Sequence, residues 1–157
     1  MNPQINATGS FIGTVVGYQY GDVVLANVNV LGGEIMTSIE KKGIRVGGLV
    51  GFSVLADGAK LTLDDCDVSG TVIAGYHNVG GLVGTLYNYL DHGDKWSICN
   101  CDVEDITIIF GSGNQNHVSP FAVDGAAFPD YDTNKQTFTD IAKGNTEANV
   151  VITAPQG

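Results

Sequence analysis

The strongest constraint on what this 157-residue chain can fold into is an internal repeat. Residues 46–51 read Val-Gly-Gly-Leu-Val-Gly, and residues 79–84 repeat the same six letters. Residues 12–17 fit the same frame with fewer glycines, and residues 118–123 fit it with every glycine lost. Repeats at this spacing indicate units that cannot bury their own apolar faces and must stack on one another.

A second block follows each of the first three copies, with apolar residues at alternate positions and then Asx-(Val/Cys)-Asx-Val. Its copies are residues 23–30, 61–68 and 96–103. A third apolar stretch closes each repeat, at residues 33–35, 70–73 and 105–108, and residues 138–141 are a faint fourth copy. The blocks are short, rich in β-branched residues and punctuated by Gly or Asx residues. That pattern predicts strands rather than helices.

We therefore expect an all-β fold, a right-handed parallel β-helix or solenoid of three to four repeats with a degenerate C-terminal cap. An antiparallel Greek-key or β-sandwich arrangement of the same strands is the alternative. One domain is predicted over residues 1–157, with repeats at about 12–45, 46–78 and 79–117 and the cap at 118–157. Equivalent side chains should form ladders about 4.8 Å apart. The predicted ladders are Leu49 on Leu82, Val50 on Val83, Cys66 on Cys101, and Asn27 on Asp65 on Asn100.

The glycines and the spacers carry two further predictions. Paired glycines in the first block predict either a close approach of backbones or positive φ at a corner. The spacers between first and second blocks lengthen along the chain, with inserts around residues 56–58 and 91–94. Insertions concentrated at one edge of a solenoid often mark its binding face.

Charge and composition exclude several classes of function. The formal net charge is −10, which disfavours nucleic acid and anionic membrane surfaces as partners. No apolar run is long enough for a transmembrane helix, and the first residues do not read as a secretory signal. Two interpretations of the start remain: a cytoplasmic or virion protein with its natural first residue, or a piece of an exported protein.

No constellation for catalysis or metal binding is evident. His77, His92 and His117 have no nucleophile partner, and Gly-x-Ser-x-Gly is absent, so no catalytic or cofactor-binding residue is predicted. Asp and Asn ladders (Asp64, Asp65, Asp67, Asp102, Asp105) and the pair Asp91 and Asp94 could supply oxygens to calcium. The glycine-rich nonapeptides of calcium-binding β-helices are absent, so solvated polar ladders are expected and no metal site is predicted. A polysaccharide-active enzyme is the least favoured hypothesis.

Three cysteines form no disulfide framework. Cys66 and Cys101 share a repeat position, and they are expected either as a buried, reduced ladder or as a disulfide between neighbouring strands. Cys99 aligns with Asp64 at a polar position, so it is the more exposed thiol.

Aromatic residues after the first blocks are the candidate binding surface: Tyr18, Tyr20, Phe52, Tyr87 and Tyr89. If exposed, such a row gives a rigid, amphipathic surface for a carbohydrate or a protein. The competing interpretation is that these rings pack against the insert loops, since aromatic residues favour strands.

The glycine blocks at residues 46–51 and 79–84 resemble the GLUG repeat family of large exported bacterial proteins, which include adhesin-like surface proteins. The resemblance implies a non-catalytic, extracellular, β-rich structural or adhesive module. Its expected partners are a glycan, a protein, neighbouring domains of a longer chain or another copy. A virion decoration protein or a self-assembling binding protein is the alternative.

Overall fold

The computed structural model describes residues 2–40, 45–87, 95–112, 118–124 and 144–154. These residues form twenty short strands and no α-helix. Among them there is accordingly no helix long and apolar enough to cross a membrane. The strands are β1 (Gln4–Asn6), β2 (Phe11–Gly13), β3 (Val16–Gln19), β4 (Val23–Ala26), β5 (Asn29–Leu31), β6 (Glu34–Met36), β7 (Arg45–Gly47), β8 (Val50–Ser53), β9 (Leu61–Asp64), β10 (Asp67–Ser69), β11 (Val72–Gly75), β12 (Val79–Gly80), β13 (Val83–Leu86), β14 (Trp96–Cys99), β15 (Asp102–Glu104), β16 (Thr107–Phe110), β17 (Val118–Ser119), β18 (Ala122–Asp124), β19 (Thr146–Ala148) and β20 (Val151–Thr153).

The strands assemble into five parallel sheets. Their orders are β1-β6-β11-β16-β20, β2-β7-β12-β17, β3-β8-β13-β18, β4-β9-β14 and β5-β10-β15-β19. From β1 to β15, each set of five strands places one strand in every sheet, and we call such a set a row: β1–β5 is the first row, β6–β10 the second and β11–β15 the third. Every strand pair in the described residues is parallel, so the antiparallel alternative is wrong.

The strand registers confirm the block alignment. Val46 lies opposite Val79, and Val50 opposite Val83, as the repeated first blocks predict. The copy without glycines also fits, because Val118 lies opposite Val79. The other ladders follow from adjacent registers: Asp67 opposite Asp102 brings Cys66 beside Cys101, and the Leu49 amide donates to the Leu82 carbonyl at 2.9 Å.

The two ends of the chain contribute strands that the repeats did not predict. Strand β1 precedes the first predicted repeat and pairs with β6, placing Ile5 opposite Ile35. Strands β19 and β20 lie within the predicted cap and continue two of the sheets. The faint copy at residues 138–141 lies outside the described residues. The predicted domain boundaries stay a prediction.

The glycines of the first block allow the sheets of β2 and β3 to approach backbone to backbone. A Cβ atom on Gly47 would lie 2.1 Å from the Val50 carbonyl oxygen, and one on Gly80 would lie 1.9 Å from the Val83 carbonyl oxygen. A Cβ on Gly81 would meet the carbonyl oxygen of Pro120 at 1.9 Å. Close approach is therefore confirmed as the role of these glycines, and none of them has positive φ.

Positive φ occurs instead at two ladders of corner residues. The ladder before β5, β10, β15 and β19 holds Asn27, Asp65, Asn100 and Gly144, with φ of 55°, 55°, 53° and 81°. The ladder after the same strands holds Gly32, Gly70, Asp105 and Asn149, again all left-handed. Asn and Asp tolerate this conformation better than other residues with a side chain. The Asx ladder predicted from sequence is thus a corner of the fold.

The core consists of ladders of equivalent apolar side chains. Val30, Val68 and Val103 are fully buried in one sheet, and Ile35, Ile73 and Ile108 in another. These stacked side chains supply the burial that a single repeat cannot reach alone.

Candidate functional site

Four aromatic rings gather on the sheets of β2 and β3, and we call them the aromatic cluster: Phe11, Tyr18, Phe52 and Tyr87. Tyr18 lies opposite Phe52 in the register of β3 and β8, and Phe11 reaches them from β2. The ring centroids of Phe11 and Phe52 lie 4.9 Å apart and nearly parallel. Tyr18 lies 5.8 Å from Phe52, and Tyr87 lies 6.1 Å from it edge to face. These spacings are within the favourable range for aromatic pairs.

Arg45 joins the cluster from β7, where it lies opposite Phe11. Its guanidinium carbon is 4.6 Å from the centroid of Phe52 and 5.5 Å from that of Phe11. These are cation–π distances. Burial against the rings lowers the pKa of Arg45 below its usual value, but that usual value is so far above neutral pH that the guanidinium keeps its charge there.

Exposure differs across the cluster. Phe52 at its centre is 8% exposed, whereas Tyr18 is 49% and Tyr87 44% exposed. The cluster is therefore a packed base that presents phenol rings to solvent. Phe52 packs against the neighbouring rings and Arg45, while Tyr18 and Tyr87 are accessible, so both interpretations of the aromatic row stay predictions.

A buried polar network lies directly behind the cluster. Ser53, next to Phe52, donates from its Oγ to Oε1 of Gln19 at 2.8 Å, and Gln19 is the neighbour of Tyr18. Trp96 donates from Nε1 to the same Ser53 Oγ at 3.0 Å, and Gln19 Nε2 donates to the Gly21 carbonyl at 2.8 Å. Buried, mutually satisfied hydrogen bonds hold their groups in one geometry. The network therefore fixes the ends of β3 and β8, which carry Tyr18 and Phe52.

The structure brings together three of the five predicted surface residues: Tyr18, Phe52 and Tyr87. Tyr20 is 60% exposed in the connection after β3, and none of the ring pairs in the described residues includes it. Tyr89 lies outside the described residues. Sequence reasoning missed Phe11 and Arg45. Each stands one residue before a first-block copy, and that shared position was the available signal.

The first predicted insert follows strand β8, which carries Phe52 of the aromatic cluster. The connections from β3 to β4, β8 to β9 and β13 to β14 join the same two sheets, and the predicted inserts fall in the second and third of them. The first insert carries Asp57, whose carboxylate lies 3.9 Å from the Lys95 Nζ. Residues 91–94 lie outside the described residues. The strands that flank the first insert pair with those that flank the second, and the common location of the inserts stays a prediction.

The Asp and Asn side chains of the acidic ladders form hydrogen bonds with one another. The Asn100 Nδ2 donates to Asp64 Oδ1 at 3.1 Å, and the Asn149 Nδ2 donates to Asp105 Oδ1 at 2.9 Å. Burial and the adjacent Asp102 carboxylate raise the pKa of Asp67. In the described part of the chain, no three His, Cys, Asp or Glu side chains converge as metal ligands. Asp91 and Asp94 lie outside that part.

The cysteines are free thiols, so the structure has the reduced ladder rather than the disulfide. Cys66 and Cys101 are buried, and each donates to a backbone carbonyl oxygen, Cys66 to Leu25 at 3.4 Å and Cys101 to Cys99 at 3.2 Å. Burial raises the pKa of Cys101 to about 12. Cys99 is half-buried and is the most accessible of the three, as predicted. His77 lies at a bend before β12 with its ring 5.4 Å from Tyr76, and His92 and His117 lie outside the described residues.

No protein-family model, curated protein or solved structure matches this chain.

Proposed function

We propose that the rows are successive coils of a right-handed parallel β-helix that serves as a non-catalytic binding module. The pairing of each strand with the strand five positions later, through the first three rows, supports the coil. The stacking of identical residues at equivalent positions supports it as well. The right-handed sense is proposed because crossover connections between parallel strands are right-handed in nearly all proteins.

The aromatic cluster is the observation that carries the binding function. Exposed tyrosine rings on a base fixed by Phe52, Arg45 and the hydrogen-bonded network lose little conformational freedom on binding. A flat aromatic surface suits the apolar face of a sugar ring, and phenol hydroxyls can bond to sugar hydroxyls. We propose a neutral glycan as the ligand, because the net charge of −10 opposes an anionic polymer.

The proposed setting is the outside of a bacterial cell, as part of an exported surface protein. Support comes from the resemblance of residues 46–51 and 79–84 to GLUG repeats. The glycines of that motif have a structural role here, at the backbone contacts of Gly47 and Gly80. The motif therefore supports the kind of scaffold, and the aromatic cluster supports the ligand.

Glycan-array binding tests the proposal. The wild type is compared with a Tyr18→Ala, Tyr87→Ala double variant, and Val151→Ala is the matched control because Val151 is 52% exposed on a different sheet, in β20. We expect the double variant to keep its circular dichroism spectrum and lose binding, while the control binds as the wild type does. A wild type that binds no glycan, or a double variant that binds equally, would overturn the proposed ligand.

A further inference from the structure

The first row forms one common edge of the structure. Within the described residues, each of β1–β5 stands at the end of its sheet and has a strand neighbour on one side only. Among these residues the outer edges of the five strands therefore have no strand partner, and they face the same way. Such edges are templates for pairing with another chain unless they are protected.

At three positions the first row has an apolar side chain where the second row has a polar one. Val24 lies opposite Thr62, Leu31 opposite Ser69, and Phe11 opposite Arg45. Val24 is 70% and Leu31 55% exposed. The change occurs in three of the five sheets. An apolar rim at a strand edge is typical of a covered surface.

The first row is also nearly free of charge. Residues 4–31 contain one charged side chain, Asp22, in a protein with 24 charged residues in total (7 Lys and Arg, 17 Asp and Glu). The Asp22 carboxylate accepts a hydrogen bond from the Lys60 amide at 2.8 Å, so it is engaged with the second row. Two copies of a protein with net charge −10 repel each other least through this surface.

We propose that the first row is the docking site for the first row of a second copy of this chain. An identical row has five strand edges of its own, the same three apolar positions and the same near-absence of charge. Two copies facing each other about a twofold axis pair their edge strands antiparallel, which closes the assembly at a dimer.

The opposite edge of the structure is a poorer partner for this surface. Its strand β19 carries Glu147 in the position that Val103 holds one row earlier. Docking there would place a carboxylate against the neutral row and leave free edges that add further copies into a filament. The dimer goes beyond the proposed glycan binding and does not depend on it.

Sedimentation velocity over a wide concentration range tests the dimer. We expect the wild type to sediment with twice the mass of the 16.4 kDa chain. A Val24→Lys, Leu31→Lys variant should be a monomer, because the lysines cannot be buried at the paired edge. The matched control is Thr62→Lys, Ser69→Lys, which alters the same ladder positions one row further on and should stay dimeric.

A milder pair guards against misfolding of the lysine variant. Val24→Thr, Leu31→Ser installs the residues of the second row, and we expect it to fold and to raise the dimer dissociation constant by about a hundredfold or more. Tryptophan fluorescence from Trp96, buried away from the first row, reports folding in every variant. The proposal would be overturned by a monomeric wild type or by a filament. It would also be overturned if the Thr62→Lys, Ser69→Lys control dissociated as readily as the Val24→Lys, Leu31→Lys variant.

Discussion

Replacing Gly80 by alanine tests whether the repeated glycines exist for backbone contact. The added methyl carbon would lie 1.9 Å from the carbonyl oxygen of Val83, 2.7 Å from its carbonyl carbon and 3.0 Å from the carbonyl oxygen of Phe121. All three obstacles are backbone atoms, and the Val83 and Phe121 backbones are hydrogen-bonded to each other at 2.9 Å. The strain cannot be relieved by rotating a side chain, so the strands themselves must separate.

The expected loss of stability can be taken from overpacking substitutions in the cores of other proteins. Added methylene groups usually cost about 1–3 kcal/mol, and rigid backbone obstacles place Gly80→Ala at the upper end, about 3 kcal/mol. That is a large share of a typical stability of about 5–15 kcal/mol. For a domain of this size it corresponds to a Tm lowered by about 6–12 °C.

Two further glycines provide graded controls for this variant. A Cβ on Gly75 would meet side-chain methyls, Cγ2 of Val46 at 2.8 Å and of Val79 at 3.1 Å, which can shift. We expect Gly75→Ala to cost about 1–2 kcal/mol. Gly21 has nothing within 4 Å of its Cβ position and no positive φ, so Gly21→Ala should stay within about 0.5 kcal/mol of the wild type.

Urea unfolding followed by fluorescence of the single tryptophan, Trp96, measures the series. Equal slopes of free energy against urea would show that the variants differ in stability and not in the surface exposed on unfolding. The expected order of midpoints is Gly21→Ala above Gly75→Ala above Gly80→Ala. If Gly80→Ala were as stable as Gly21→Ala, the reasoning that these glycines serve backbone contact would be refuted.

Three other predictions can be made, one for the corner ladder and two for the thiols. Asn100→Ala should cost about 1–2 kcal/mol because its φ of 53° disfavours residues with a Cβ, whereas Asn100→Gly should cost less; equal urea midpoints would contradict this. In the native protein a thiol reagent at mildly alkaline pH should modify Cys99 first and leave Cys101 unmodified until urea is added, and three fast-reacting native thiols would argue against the burial described. Because the pKa of Cys101 rises from 9.0 unfolded to about 12 folded, its neutral thiol favours the fold below pH 9. That contribution falls as the pH rises from 9 toward 12, so Cys101→Ala should show a shallower alkaline loss of stability.

Much of the strand pairing was predictable because the repeats are nearly identical in sequence. Two copies of Val-Gly-Gly-Leu-Val-Gly fix their own register, since a slip by one residue would bring every side chain to the wrong face. The parallel direction follows as well, because equivalent blocks recur in the same order. Residues 12–17 and 118–123 fell into place for the same reason, despite their missing glycines.

The positions outside the blocks were harder to predict. Strand β19 reads Thr-Glu-Ala, which has no apolar pattern, and it is held in part by side chains around it. The Asn145 Oδ1 accepts from the Cys101 amide at 2.8 Å and its Nδ2 donates to the Ile98 carbonyl at 2.9 Å. Bonds of this kind depend on a neighbouring row, so they cannot be read from a single segment.

The aromatic cluster shows the same division. Tyr18, Phe52 and Tyr87 follow the first blocks, so the repeat itself pointed to them. Phe11 and Arg45 differ in chemistry at one shared position, and a search for similar residues does not connect them. They lie opposite each other in one sheet, but their contact with Phe52 depends on the close approach of the β2 and β3 sheets, which is a consequence of packing and not of local sequence.

The register of the rows also bears on how such a chain can change its length. Glu34 begins the second row and Val72 the third, and they lie opposite each other in one sheet. Loss of residues 34–71 by recombination would therefore bring Val72 to the place of Glu34, with every later strand in phase with the first row. A duplication of the same segment would lengthen the protein equally well. Genes for such proteins can grow or shrink by whole rows, while changes of other lengths are confined to connections between strands, as in the inserts.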